Sequence, residues 1–113
     1  MQPNTNDLRT PQLELLRVLA ERPDVSQREL SRSLGLSLGK THYLLHALLD
    51  KGLVKVRNFT RSDFKLGYSY LLTPAGMHAK LRMTREFLVR KEQEFEQLRI
   101  TIAALRREVD DVS

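Results

Sequence analysis

Apolar residues in the first half of this chain recur at the three-and-four spacing of helices. Leu13, Leu16, Leu19 and Ala20 mark one face of a first segment, and Leu15 and Val18 widen it. Thr10-Pro11 opens that segment, with threonine as cap and proline at the first helical position, where its missing N–H costs nothing. Pro23 closes it. A second, shorter helix follows. Ser26 and Glu29 form a capping box, Val25 and Leu30 a hydrophobic staple, and Leu30 and Leu34 an inward face. Gly35 supplies the left-handed residue that ends a helix. Leu36 plugs the turn, and Ser37 caps a third helix whose inward face is Thr41, Leu44, Leu45, Leu48 and Leu49. Gly52 stops it.

From Leu53 the pattern shortens to the alternation of strands. Leu53, Val54 and Val56 begin one strand, and Tyr68 to Leu72 form a second, with Tyr68, Tyr70 and Leu72 on one face. A polar loop from Thr60 to Gly67 joins them. Thr73-Pro74 then opens another helix. With no later proline and no glycine after Gly76, it is predicted to run to about Asp110, about 55 Å at 1.5 Å per residue. Leu81, Leu88, Phe95, Ile102 and Val109 fall seven apart on it. Thr84, Lys91, Leu98, Leu105 and Val112 occupy the complementary heptad position. From Phe95 onward both positions are apolar, which is a coiled-coil seam. The first half of the helix, broadened by Met77, Met83 and Phe87, is expected to pack on the preceding domain, and the second half on a partner helix. A second copy of the chain is the simplest partner. In a parallel pair Glu94 faces Arg99 of the partner subunit, and the antiparallel arrangement stays open.

The fold expected is mainly α (α+β): a winged helix-turn-helix domain followed by a long C-terminal dimerisation helix. Residues 1–9 are read as a flexible N-terminus, 10–73 as the winged domain and 74–113 as the coiled-coil helix.

A helix, a glycine turn, a second helix and then a hairpin make a helix-turn-helix with a wing. A plain hairpin in a core would not need the polar, basic outer face that Lys40, His42, Tyr43 and His46 give the third helix. In the DNA-binding version that helix enters the major groove. Charge points the same way. The net charge of the 113 residues is +5, and residues 37–67 hold six Lys or Arg against two Asp, while the segment from Pro74 onward is nearly balanced. On this reading Ser37 and nearby N–H groups hold a phosphate, and Lys40 reaches a base or a phosphate. His42, Tyr43 and His46 donate in the groove, Gly39 permits close approach, and Leu38 meets a thymine methyl or the rim of the core. Arg57, Arg61 and Lys65 anchor the wing. Leu88, Phe95, Leu98, Ile102, Leu105 and Val109 carry dimerisation.

Other classes fit less well. There is no cysteine, hence no disulfide, thiolate metal site or cysteine nucleophile. His42 and His46 are spaced as metal ligands can be, yet no third ligand and no zinc-protease glutamate accompany them. No phosphate loop or nucleophilic triad is present. The chain is therefore read as a non-enzyme without cofactor or metal. No apolar run is long enough to span a bilayer and Met1 to Asp7 is polar, so a cytoplasmic location and no membrane partner are expected. The alternative is a winged-helix module that binds another protein and is scaffolded by the coiled coil.

The run QRELSRSLGLSLGKTHYLLHALLDKGLVKVRNF, then KLGYSYLLTPAGM, then a charged helix ending in LRREV, resembles the small MarR-family regulators associated with exopolysaccharide gene clusters in bacteria. The resemblance covers nearly the whole chain beyond about residue 12. It implies a dimeric DNA-binding transcription factor acting near polysaccharide biosynthesis genes; two half-sites related by the dimer's two-fold axis would make an inverted-repeat operator. Full-length MarR proteins carry extra terminal helices that build a dimer domain and often enclose a ligand pocket. This chain has one helix before the helix-turn-helix and one after the wing, which argues against a small-molecule effector.

Overall fold

A computed structural model describes the backbone over residues 9–60 and 66–112, and side chains over 10–57 and 69–112. The elements run α1 (Arg9–Glu21), α2 (Gln27–Leu34), α3 (Leu38–Asp50), β1 (Val54–Thr60), β2 (Leu66–Leu72) and α4 (Pro74–Val112). This is the mainly helical winged helix-turn-helix with a long C-terminal helix that the apolar spacing predicts. The chain divides into two compact units, Met1–Met83 and Thr84–Ser113.

In the first unit, Leu15, Leu16 and Leu19 of α1 meet Leu30 of α2, Leu44, Leu45 and Leu48 of α3, and Val54 of β1 in one buried cluster. Burying each such side chain contributes roughly 1.5–3 kcal/mol. The polar members are satisfied locally. Thr41 Oγ1 donates to Ser37 O (2.9 Å) and Ser31 Oγ to Gln27 O (2.7 Å), so neither leaves an unpaired group in the core.

Both interior helix ends are closed as the glycines predict. Gly35 has φ 66°; its N–H donates to Arg32 O, and Leu36 N–H reaches Ser31 O. Gly52 has φ 74°, with the same pair of bonds from Gly52 to Leu49 and from Leu53 to Leu48. These are Schellman closures, and the left-handed residue costs least when it is glycine. At the start of α2, Ser26 Oγ accepts from Glu29 N at 3.1 Å. Only this half of the expected box forms among the described residues.

Several boundaries move. The first helix begins at Arg9, not after a Thr10 cap, so residue 9 of the expected flexible N-terminus is helical; residues 1–8 lie outside the described part. Pro11 is then the third helical residue. It is tolerated there because first-turn N–H groups have no intrahelical acceptor. The strands are longer than expected: β1 reaches Thr60 and β2 starts at Leu66. They pair antiparallel from Val54 opposite Leu72 to Thr60 opposite Leu66, so Thr60, Leu66 and Gly67 belong to the ladder, not to the loop. Ladder hydrogen bonds outweigh the weak β propensity of that polar stretch.

α4 starts as Thr73-Pro74 predicts. Thr73 Oγ1 accepts from Gly76 N (3.0 Å) and donates to Gly52 O (2.6 Å). The face it packs differs from the heptad expectation. Gly76 and Ala79 are buried and Met83 lies against the core, while Met77 and Leu81 are exposed. Gly76 decides this, since only a residue without a side chain fits beside the backbone of Leu53.

In the second unit α4 carries Lys91–Glu94 and Glu96–Arg99 contacts at 3.0 and 2.6 Å. Arg90 and Lys91 sit over the Phe87 ring at 5.6 and 5.1 Å from its centroid. The Arg99 guanidinium holds the Glu96 carboxyl below the usual carboxylate range.

Candidate nucleic-acid interface

The buried stripe of α3 is Thr41, Leu44, Leu45 and Leu48. At 100° per residue, the positions opposite are Gly39, Tyr43 and His46, with Lys40 and His42 on the two flanks. All five are exposed, Tyr43 by 64%. Leu38, in the first turn beside the buried stripe, is 46% exposed.

The N-terminus of α3 is capped by Ser37. Ser37 is extended (φ −64°, ψ 158°), and its Oγ accepts from Lys40 N at 3.1 Å. Thr41 N donates to Ser37 O at 3.0 Å. Among the described residues this leaves the N–H groups of Leu38 and Gly39 without an acceptor, at the positive end of the helix dipole. Apart from its chain neighbours and its own helix backbone, no atom lies within 4 Å of where a Gly39 side chain would begin. A phosphate can therefore approach the backbone there.

His42 and His46 are neighbours, with ring centroids 4.1 Å apart and planes tilted by 48°. No group of three metal-ligating side chains occurs among the described residues. Of the wing positions, Arg57 is exposed on β1; Arg61 and Lys65 lie outside the described residues.

Two residues at this surface were not singled out from the sequence. Gln27, the first residue of α2, contacts both Tyr70 of β2 and His42 of α3, at 3.3 Å each. Its only signal in the sequence was a polar residue beside a helix cap. Tyr70 shares one strand face with Tyr68 and Leu72 by alternation, which does not reveal the partner of its hydroxyl.

On α4, Leu88, Phe95, Leu98, Ile102, Leu105 and Val109 are each at least 42% exposed, so none of them is buried by the described residues.

Residues 8–55 match the family described as winged helix-turn-helix DNA-binding. By sequence, no curated protein matches the chain. Solved structures do. A MarR/EmrR family transcriptional regulator from Acinetobacter sp. ADP1 is 25% identical, with 89% of this chain and 75% of that one covered and a TM-score of 0.62. The PcaV transcriptional regulator from Streptomyces coelicolor is 20% identical over 91% and 78%, with a TM-score of 0.62. Sso10a-2, a DNA-binding protein from Sulfolobus solfataricus, is 14% identical over 88% and 94%, with a TM-score of 0.64. The last two likenesses are of fold. No helix among the described residues is long and apolar enough to cross a membrane.

Proposed function

We propose that this chain is a sequence-specific, double-stranded DNA-binding transcriptional regulator of MarR type, acting in the cytoplasm as a homodimer on an inverted repeat. One observation carries the reading. α3 spends its whole apolar stripe on the core and presents Leu38, Gly39, Lys40, His42, Tyr43 and His46 outward from a capped N-terminus. None of these side chains is buried in the core. Their surface has the width, charge and free N–H groups that suit a major groove. The matched winged helix-turn-helix family and the regulator-like folds support the same reading.

Ser37 and the adjoining N–H groups hold a phosphate, Lys40, His42, Tyr43 and His46 face base edges, and Arg57, Arg61 and Lys65 fix the wing on the backbone. The exposed seam of α4 supplies the second half-site reader. β-Branched Ile102 and Val109 alternate with Leu98 and Leu105, the distribution that favours two strands when the helices run parallel. A parallel coil relates the two copies by a two-fold axis along its length, and the operator repeats that symmetry. The resemblance to exopolysaccharide-associated regulators supports target genes in polysaccharide synthesis. The reading needs no cofactor, catalytic group or small-molecule effector.

The test is selection of fragmented genomic DNA on the full chain at physiological salt, followed by sequencing. An inverted repeat upstream of a few genes is the expected result. Recovery of nothing above background, with binding that vanishes as salt rises, would overturn the reading in favour of a protein-interaction module.

A further inference from the structure

We propose that Gln27 sets which base this protein reads through His42, by holding the histidine ring in one tautomer. The inference rests on the DNA-binding reading above and adds a positioning residue to it. Three elements meet at Gln27. Tyr70 of β2 is fixed by its own N–H, which donates to Pro23 O at 3.0 Å, and by its pairing with Val56. Gln27 Nε2 donates to the Tyr70 hydroxyl at 3.3 Å. With the amide nitrogen on that side, Gln27 Oε1 lies 3.3 Å from His42 Nδ1.

An amide oxygen only accepts, so Nδ1 of His42 carries the proton. In a neutral imidazole the other nitrogen, Nε2, is then bare and can only accept. His42 is exposed on the flank of α3, and with Nδ1 held by Gln27, Nε2 is the ring atom left to meet a ligand. In the major groove, adenine N6 and cytosine N4 are donors, whereas guanine and thymine present oxygen acceptors. A bare Nε2 therefore selects an amino-bearing base, adenine or cytosine, over a keto-bearing one at a single operator position. Without Gln27 the ring is free to take the other tautomer, whose Nε2–H prefers the keto bases. The neighbouring His46 ring limits the angles at which His42 can turn away. Gln27 thus makes no contact with DNA of its own and acts through the histidine it holds.

Two measurements on the full chain test this. In ¹⁵N spectra recorded with the imidazole neutral, His42 of the wild type should show a protonated Nδ1 and a bare Nε2. Gln27→Leu should shift it toward Nε2–H. In selections from a randomised duplex library, the wild type should favour adenine or cytosine about tenfold at one position of each half-site. Gln27→Leu should lose or reverse that preference with the salt dependence of binding unchanged. Tyr70→Phe, which frees the amide to turn, should lose part of it, and circular dichroism checks that each variant is folded. An Nε2–H tautomer in the wild type overturns the proposal, and so does an unchanged base preference in folded Gln27→Leu. If Gln27→Leu does not fold, the wild-type tautomer and Tyr70→Phe still decide. A wild type that selects no operator sinks the DNA-binding reading and this proposal together, whereas a clear operator with unaltered preference in the variants sinks this proposal alone.

Discussion

The backbone of Gly76 lies directly against the carbonyl of Leu53, so close that a methyl group at Gly76 would overlap it. The contact clasps the first turn of α4 to the end of α3, beside the Thr73 hydroxyl that bridges Gly52 O and Gly76 N. In an ordinary helix interior, replacing glycine with alanine gains about 1 kcal/mol. Here the clash is with backbone, which cannot swing aside, so the sign reverses. Gly76→Ala is expected to cost about 1–3 kcal/mol, seen in urea melts as a lower midpoint with an unchanged slope. A midpoint equal to or above that of the wild type would refute the clasp.

That contact also shows where the sequence stops being legible. Caps and stops are local, and Ser26, Gly35, Ser37 and Gly52 all act as their neighbours predict. The core is nearly as legible, because its Leu residues recur at one helical period. The inward face of α4 was not. Two apolar patterns overlap on its first turns, and the choice between them rests on Gly76 meeting Leu53, which are distant in sequence. The lengthened strands depend on cross-strand pairing, and the link from Gln27 to Tyr70 spans 43 positions. Lys40, His42, Tyr43 and His46 were legible because one helical period fixes both the buried stripe and its opposite.

The two serine caps separate stability from function. Ser26 and Ser37 accept the same bond, from Glu29 N and Lys40 N, each at 3.1 Å. Ser26→Ala and Ser37→Ala should each cost about 1 kcal/mol of stability. Only Ser37 stands at the helix end assigned to a phosphate. Ser37→Ala should therefore also weaken DNA binding, whereas Ser26→Ala should leave it near the wild-type value in the same titration. Equal losses of affinity would remove the phosphate role.

Lys40 and the wing should differ in kind. Lys40→Ala is expected to lower affinity and relax one base position, by about 1–3 kcal/mol of discrimination if the contact is to guanine. Arg57→Ala, Arg61→Ala and Lys65→Ala should weaken binding evenly across sequences. Each should reduce the slope of log affinity against log salt by about one unit. Unaltered slopes in all three wing variants would show that the wing does not touch the backbone.

The seam of α4 gives the last prediction, because its apolar residues stay exposed among the described residues. Ile102 lies outside the buried core of a single copy, so in Ile102→Glu helix content should hold while the sedimentation mass falls to that of a monomer. Operator affinity should fall with it, since one half-site reader remains. Orientation can be read separately. The chain has no cysteine, so a single Val109→Cys reports without background. In a parallel, in-register coil the two introduced thiols face each other within the Cα reach of about 7 Å that a disulfide allows, and they should oxidise to a covalent dimer. In an antiparallel coil they lie toward opposite ends of the seam and should not. Glu94 and Arg99 are bound to Lys91 and Glu96 of their own helix at 3.0 and 2.6 Å, but both contacts are exposed and worth little. Both residues can turn instead to the partner's Arg99 and the partner's Glu94. Arg99→Glu alone should then loosen the dimer, and adding Glu94→Arg should restore it. Restoration is what a parallel pairing requires, because the same double exchange in an antiparallel coil leaves these two residues apart.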